Sequence, residues 1–298
     1  MSTFIGKIFR KRDKQATTSE VERAFPGDGV GFPVPYTGER ILVTNDLLSR
    51  CKTLAEHSGA FRLNDSVVLK PGEAAHMSEA SAMRLVRERT SIPAPRVLDA
   101  YEQETDSRGV ILMEYVKGET LDKAWPGLDE EQKRSVLSEL KQHMGELRDI
   151  SGTFIGNVDN GPCRDQFFAH DKSIGSFAPG DSDSGTHFHR ALADEVRGRG
   201  DNSWHHVVAR FIESLPGGDV VMTHNDLAPR NILVREDKVV AILDWEMSGF
   251  YPDYWEYVKA YLWNDWQSPW INEGLPDRIL EPRMQELAYL LHARDIFR

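Results

Sequence analysis

Thr223-His224-Asn225-Asp226-Leu227-Ala228-Pro229-Arg230-Asn231-Ile232-Leu233-Val234, followed by Val239-Val240-Ala241-Ile242-Leu243-Asp244-Trp245, is the stretch whose reading decides the fold. Two apolar, β-branched runs, 231–234 and 239–243, flank the polar turn Arg235-Glu236-Asp237-Lys238, which predicts a hairpin. If Val234 faces Val239, Asn231 faces Ile242. Side chains alternate faces along a strand, so Asn231, Ile242 and Asp244 would share one face. An amide oxygen and a carboxylate then converge where the hairpin opens, and Asp226 adds a second carboxylate on the loop before it. Hard oxygen donors placed this way suit Mg²⁺, which takes one or two protein ligands and completes its shell with water and phosphate oxygens. Asn231 and Asp244 are therefore the candidate metal ligands. Asp226 is left to accept or orient a proton.

The spacing His224-x-Asp226-x-x-x-x-Asn231 with a later Asp244 resembles the catalytic loop and metal-binding Asp of the kinase superfamily. The wording departs from protein kinases. Ala228 stands two after the Asp, where Ser/Thr kinases place a Lys, and Trp245-Glu246 replace Phe-Gly. These departures resemble the aminoglycoside-phosphotransferase and choline-kinase branch, whose members phosphorylate small molecules. The plain alternative is a hairpin with incidental polar residues.

Composition sets the outer bounds. At 298 residues the chain is long enough for one large domain or two lobes, and 40% apolar with 28% charged residues is ordinary globular composition. A net charge of −11 argues against nucleic acid as the main partner and is compatible with a cationic substrate. Cys51 and Cys163 lie far apart without metal-ligand spacing and read as free thiols in a reducing compartment. No run of 18 apolar residues occurs, so no membrane span is expected. Lys7, Arg10, Lys11, Arg12 and Lys14 surround short apolar pairs at the start, which reads as a basic arm. A cytoplasmic protein is the expectation, with a mitochondrial-type presequence as the alternative. Residues 1–35, polar and then Gly/Pro-rich, are expected to form an arm without a core. Residues 41–54 are ambiguous between strand and helix.

Upstream, Ala60 to Leu63, the turn Asn64-Asp65, and Ser66 to Lys70 predict a second hairpin, broken after Lys70 by Pro71-Gly72. Ala75 to Arg89 reads as a helix, with Met77, Ala80, Met83 and Val86 at intervals of three, ended by Ile92-Pro93-Ala94-Pro95. The resemblance implies that Lys70 binds phosphate oxygens and that Glu79 on that helix orients it. Alone, a Lys/Glu pair nine apart is more often a surface salt bridge. No G-x-G-x-x-G precedes Lys70, which weakens a protein-kinase reading more than a nucleotide reading. The strand Arg108 to Lys117 occupies the place of the inter-lobe hinge. By the resemblance, main chain from Glu114 through Tyr115 to Val116 meets the adenine edge and Met113 lines the base pocket; an ordinary core strand is the alternative.

Asp129 with Gln132 predicts the N-cap of a long amphipathic helix through Arg148, with Val136, Leu140, Met144 and Leu147 on one stripe. Residues 151–186 are Gly/Ser/Asp-rich and by position form either a substrate-side flap or a plain loop. His187 and His189 lack companion ligands, so no zinc site is expected. Helices are read over 186–196 and around Val207 to Ile212, before the strand Val220 to Thr223. The aromatic tail, Phe250 to Trp263, reads mostly as core. Small-molecule phosphotransferases use acidic residues there for amino-bearing substrates, which makes Asp253, Glu256 and Asp265 substrate candidates by resemblance. The phrases Tyr251-Pro252-Asp253-Tyr254-Trp255-Glu256-Tyr257, Thr90-Ser91-Ile92-Pro93-Ala94-Pro95 and Met113 to Leu121 resemble fungal members of the aminoglycoside-phosphotransferase family in particular. The resemblance covers about 60 to 265 and is silent on the acceptor.

The expected fold is α+β and protein-kinase-like, with an N-lobe over 36–115 and a helical C-lobe over 116–298 that carries the catalytic loop. The expected activity moves the γ-phosphoryl group of ATP (or GTP), with Mg²⁺, to a small-molecule hydroxyl. Asp226 handles the proton. Arg230 either steadies the transferring phosphoryl or pairs with Asp226, and His224 braces the loop. The rival reading is a pseudokinase-like scaffold that keeps the fold as a binding module. A metal-dependent hydrolase built on His224, Asp226 and Asp244 ranks below both, for want of further histidines nearby.

Overall fold

A computed structural model describes residues 40–54, 59–73, 77–165, 167, 184–200 and 202–297. The expected N-terminal arm, and most of the segment read as a flap, lie outside them. The described residues up to 74, with 98–115, pack as one compact unit; those of 75–97 and 116–298 pack as the other. The helix carrying Glu79, grouped by sequence with the small lobe, thus packs with the second unit.

The first unit is a five-stranded sheet in the order β1-β2-β3-β5-β4. Its members are β1 (Lys52–Thr53), β2 (Phe61–Arg62), β3 (Val67–Glu73), β4 (Val97–Glu102) and β5 (Arg108–Glu114). The ambiguous segment before it resolves as helix α1, Asn45–Arg50, because Thr44 caps it by accepting the Leu47 N–H. The β2–β3 hairpin pairs Phe61 with Leu69 and Arg62 with Val68. Its turn is set by the Asn64 side chain, which accepts the Ser66 N–H at 2.8 Å.

Strand β3 does not end at Lys70 as the sequence suggests. It continues through Pro71 and Gly72, paired with Val110 and Gly109 of β5. The physical reason is local: among the described residues β2 pairs with β3 at Leu69 and Val68, short of Pro71, and a residue without an N–H is tolerated where a ladder runs on one side. Val43, Leu47, Leu63, Val67, Leu69, Tyr101, Val110 and Leu112 form the core beneath.

The second unit begins with α2, Met77–Arg89, and passes through β6 (Glu119–Thr120) and α3 (Leu121–Ala124) to α4, Glu130–Arg148. Helix α4 starts on the expected capping box: Asp129 accepts the Glu131 and Gln132 N–H groups, and the Gln132 side chain accepts the Asp129 N–H in return. Val136, Leu140, Met144 and Leu147 are all buried, as their stripe requires. Strand β7 (Gly156–Asn157) and helices α5 (Ser184–Gly198) and α6 (Ser203–Glu213) follow. Two small sheets then frame the decisive stretch. Strand β8 (Val220–Thr223) lies beside β11 (Gly249–Pro252), which also takes β7, while β9 (Ile232–Arg235) lies between β10 (Lys238–Ile242) and β6. The chain closes with α7 (Trp255–Leu262), α8 (Pro269–Asn272), α9 (Leu275–Ile279) and α10 (Met284–Phe297). No described helix is long and apolar enough to cross a membrane. Both cysteines are free and buried.

The predicted hairpin is present and keeps the predicted register as far as Val239, beyond which it departs. Lys238 pairs with Arg235, so the turn is the two residues Glu236-Asp237, with Glu236 at φ 57°, the sign that tight hairpin turns demand. Val239 faces Val234 as expected. The pairing then slips, Ala241 facing Leu233 and Ile242 facing Ile232, so one extra residue, Val240, bulges. Asn231 therefore does not face Ile242.

Leu112 is 0% exposed in the middle of the first sheet. Leu112→Ala is expected to cost ~2–5 kcal/mol in denaturant unfolding, since the strands around it cannot collapse onto the cavity. A loss below about 1 kcal/mol would show that this sheet carries little of the measured stability.

Candidate active site

Strand β8 ends at Thr223 and hands the chain to the loop His224–Asn231, whose two apolar side chains, Leu227 and Ala228, are 1% and 0% exposed and pin it to the interior. A 3₁₀ turn, Pro229–Asn231, closes the loop, with Pro229 opening it and the Asn231 N–H donating to the Ala228 carbonyl at 2.9 Å. The polar side chains between these anchors have defined partners.

His224 is fully buried. Its Nε2 lies 2.9 Å from the Leu243 carbonyl, and its Nδ1 lies 3.2 Å from the Asp226 N–H. A carbonyl only accepts and a backbone N–H only donates, so the imidazole is the neutral tautomer protonated at Nε2. Burial lowers its pKa in the same direction. The ring also sits edge-on to Trp245, with centroids 4.5 Å apart, and the Trp245 indole N–H donates to the Ile242 carbonyl at 2.9 Å. His224 thus ties the loop to the segment that presents Asp244. Both of its ring nitrogens are engaged with backbone groups.

Asp226 is enclosed by two donors. One guanidinium nitrogen of Arg230 donates to Oδ1 and Oδ2 at 2.7 and 2.8 Å. The Asn231 amide nitrogen donates to Oδ2 at 2.7 Å and to the Asp226 carbonyl at 2.9 Å. Both of those partners only accept, so the amide must face them with its nitrogen, and its oxygen is the end left for a cation. The Asn231 carbonyl meanwhile accepts the Leu243 N–H at 2.7 Å.

Asn231 and Leu243 are therefore the residues that meet at the mouth of the hairpin, and strand alternation does not place Asp244 as the sequence predicts. Asp244 leaves the strand at φ 65°, a left-handed turn that Asp tolerates better than most side chains. Around it, one carboxylate oxygen each from Asp244, Glu246 and Glu79 lie within 4.8 Å of one another. Sequence reasoning selects Asp244 and Glu79 for different duties and passes over Glu246. The available signal is an acid two residues after Asp244.

Behind the loop is the feature that sequence reasoning missed. Glu256, in the first turn of α7, is 3% exposed. Its carboxylate accepts the His224 N–H at 2.5 Å and the Asn225 N–H at 3.2 Å. Asn225 stands at φ 69° and is fully buried. Its amide nitrogen donates to the Arg164 and Met247 carbonyls, each at 2.9 Å, and its amide oxygen accepts the Trp255 indole N–H at 2.9 Å. That indole N–H also lies 3.2 Å from Asp165, which forms a fully buried ion pair with Lys259 at 2.9 Å.

Two of the three substrate candidates are accordingly committed elsewhere. Glu256 faces the loop backbone. Asp253 accepts from the Arg283 guanidinium at 2.6 Å, with the Arg148 guanidinium 3.7 Å away. Asp265 is exposed, and its carboxylate accepts the Gln267 N–H at 2.9 Å, capping its own turn.

In the first unit, Lys70 is 8% exposed on β3, opposite Ile111 of β5. Met113 is buried, and Glu114 is exposed opposite Val67. The Tyr115 N–H donates to the Ser66 carbonyl at 2.8 Å, so the expected adenine-edge donor is not this one. Arg62 lies over the Tyr115 ring, 4.4 Å from its centroid. Val116 is half-buried at the start of the second unit.

A loop thus cages one Asp between an Arg and an Asn, and a turn then groups acids around a second Asp. The chain belongs to the phosphotransferase enzyme family, whose model matches residues 61–290. It is similar in fold to a thermostable mutant of aminoglycoside phosphotransferase APH(4)-Ia in its apo form (22% identity, 83% of each chain, TM-score 0.54). The same is true of a further variant of that thermostable protein, in ternary complex with ADP and hygromycin B (19% identity, 83% of each chain, TM-score 0.53). A third similar structure is the gentamicin complex of APH(2")-IIa (13% identity, 84% of this chain and 87% of that one, TM-score 0.52). No curated protein matches the chain. The fold is the kinase-like α+β fold of these phosphotransferases, with a sheet-rich N-terminal part and a helical C-terminal part.

Burial pushes the Glu256 carboxyl up to about 7, against the two N–H bonds and the Arg148 charge that favour its ionised form; the Asp226 charge adds to the rise. Between its ordinary value of 4.5 and about 7 the folded chain keeps a proton that the unfolded chain has released. Stability from this group is present in full below pH 4.5 and falls by roughly 3 kcal/mol as pH rises to about 7. Urea unfolding across that window should therefore decline more steeply in the wild type than in Glu256→Gln. Parallel curves would remove Glu256 from the pH dependence.

Proposed function

We propose that the chain transfers the γ-phosphoryl group of ATP to a hydroxyl of a small, amino-bearing molecule, with Asp226 as the proton acceptor. The observation that carries this reading is the enclosure of Asp226, whose carboxylate is held between Arg230 and Asn231 on a loop locked by His224. The family assignment supports the reaction class. The ligands of similar proteins, ADP with hygromycin B and gentamicin, support a purine nucleotide and an amino-bearing acceptor.

The acceptor oxygen attacks the γ-phosphorus, the bond from that phosphorus to the β-phosphate oxygen breaks, and ADP leaves. The hydroxyl proton passes to Asp226. Arg230, adjacent and half-exposed, exchanges part of its contact with Asp226 for the equatorial oxygens of the moving group. Lys70 on β3 is assigned to the phosphates, and the main chain at Glu114 and Val116 with the Met113 side chain to the base. Asn231, through its amide oxygen, and Asp244 would hold Mg²⁺. The set fits: hard oxygens, with Glu79 and Glu246 adding negative charge beside Asp244. When bound, the ion would supply positive charge against the charge that develops on the phosphate oxygens. Asp253 and Glu256 are not assigned to the acceptor, because their carboxylates serve Arg283 and the loop backbone.

Positioned proton transfer contributes on the order of 10²–10⁴-fold, so Asp226→Ala should lower turnover on an accepted hydroxyl at least about 100-fold while ATP still raises the melting temperature. A panel of amino-alcohols, aminoglycosides and sugars, assayed for ADP release, supplies the acceptor; undiminished turnover in the variant would exclude Asp226. Asp244→Ala should abolish the extra thermal shift that Mg²⁺ adds to ATP or GTP and leave the metal-free shift intact. A metal-dependent shift that survives would place the ion elsewhere.

A further inference from the structure

Strand β10 lies at the edge of its small sheet, with β9 on one side. Its outward N–H groups need acceptors from elsewhere, and helix α4 serves one directly and one through an intermediary. At the start of the strand the Glu139 carboxylate accepts the Val239 N–H at 2.8 Å and the Lys238 ammonium at 2.8 Å. At the other end the Ile242 N–H donates to the Pro93 carbonyl at 3.0 Å. The connection that carries Pro93 is fastened in turn by Glu146, whose carboxylate accepts the Ser91 N–H at 2.6 Å and the Ser91 hydroxyl at 2.8 Å. Bonds from the Gln142 side chain and from Ser91 hold the Glu146 carboxyl below its ordinary value, so it is ionised at neutral pH.

The spacing of the two acids suits the strand. Glu139 and Glu146 lie two turns apart on one face of α4, about 10 Å along its axis. Val239 to Ile242 covers about 10 Å of strand. In a regular strand, residues three apart point their N–H groups to opposite sides, so these two could not both face outward. The extra residue Val240 removes that obstacle. Val239 faces Val234 and Ile242 faces Ile232, two positions along β9, so both N–H groups turn to the open edge. Immediately beyond, the Leu243 N–H is held from the other side by the Asn231 carbonyl, and Asp244 turns away at φ 65°.

We propose that Glu139 and Glu146 are positioning residues, the latter acting through Ser91 and Pro93, that hold strand β10 so that Asp244 is presented to Mg²⁺. This rests on the reading of Asp244 as a metal ligand. Neither acid belongs to the cluster of Glu79, Asp244 and Glu246, so the expected effect falls on the response to Mg²⁺.

The test uses Glu146→Ala, Glu146→Gln, Glu139→Ala and Asp244→Ala in full-length protein, with two readouts. The first is amide hydrogen exchange without metal or nucleotide. Glu146→Ala should speed exchange at Ile242, and Glu139→Ala at Val239, on the order of 10-fold, the scale of a lost bond to a charged group, while Leu112 in the first sheet keeps its wild-type rate. The second is turnover of ATP with an acceptor hydroxyl from the panel across a Mg²⁺ titration. Both alanine variants should need about 10-fold more Mg²⁺ for half-maximal turnover, as when an outer partner of a metal ligand is lost, and added Mg²⁺ should restore most of kcat. Glu146→Gln keeps an oxygen for the Ser91 N–H and should recover much of both effects. Wild-type exchange at Ile242 and Val239 would overturn the proposal, and so would faster exchange there with an unchanged Mg²⁺ requirement. Exchange that rises equally at Leu112 would mark a general loss of stability and overturn it too. Should Glu146→Ala not fold, Glu139→Ala and Ser91→Ala decide by the same criteria. A wild-type Mg²⁺ response in Asp244→Ala would instead remove the underlying reading, whatever the α4 variants do.

Discussion

Buried backbone N–H groups that belong to no strand or helix must find acceptors, and the loop after β8 is where this constraint presses hardest. His224, Asn225 and Asp226 turn away from the strand in succession, inside the second unit. Their donors end on the Glu256 carboxylate and the His224 ring, and the side chain of Asn225 satisfies three further groups. Asp226, enclosed by Arg230 and Asn231, follows directly on this anchored backbone. Asp244 keeps its place because His224 reaches across to the Leu243 carbonyl.

The second unit accordingly holds charge in two ways. Asp165 and Lys259 neutralise one another in the interior, with Phe167 and Trp263 rings near the ammonium. Glu256 has no such cation in contact among the described residues; Arg148 acts on it from a distance, so desolvation prevails and its proton is held. A buried charge missing a close partner is costly, while one with a partner and hydrogen bonds is tolerated. The contrast separates a structural ion pair from a group tuned by its surroundings.

Much of this is legible in the sequence because the signals are local. The Asp129 capping box, the Asn64 turn and the four-residue stripe of α4 are each written in residues a few positions apart, and each forms as read. The decisive hairpin is also legible, but its register beyond Val239 is not. A four-residue polar turn and a two-residue turn with a later bulge fit the same string of letters, and only the pairing of Ala241 with Leu233 separates them. Strand alternation, carried past Ile242 to Asp244, fails there because a left-handed residue ends it. Pro71 looks like a strand end because its tolerance depends on how far the neighbouring strand β2 extends. Glu256 reads as a residue facing substrate, since an acid among aromatic residues does not say which way its helix is turned. Asn225, Asp165 and Lys259 take most of their meaning from partners more than 20 residues away.

The grip of Arg230 on both oxygens of Asp226 bears on economy in the cell. A bare carboxylate beside a nucleotide triphosphate would orient any stray water as readily as an alcohol, and the nucleotide would be spent on nothing. Here three of the four lone-pair sites already accept guanidinium and amide hydrogens, and a visitor must compete with them through binding of its own. A water molecule brings little such binding, whereas a polyfunctional acceptor brings a great deal. On the proposed reading, the same few atoms that ready Asp226 for an alcohol would disfavour its use by water.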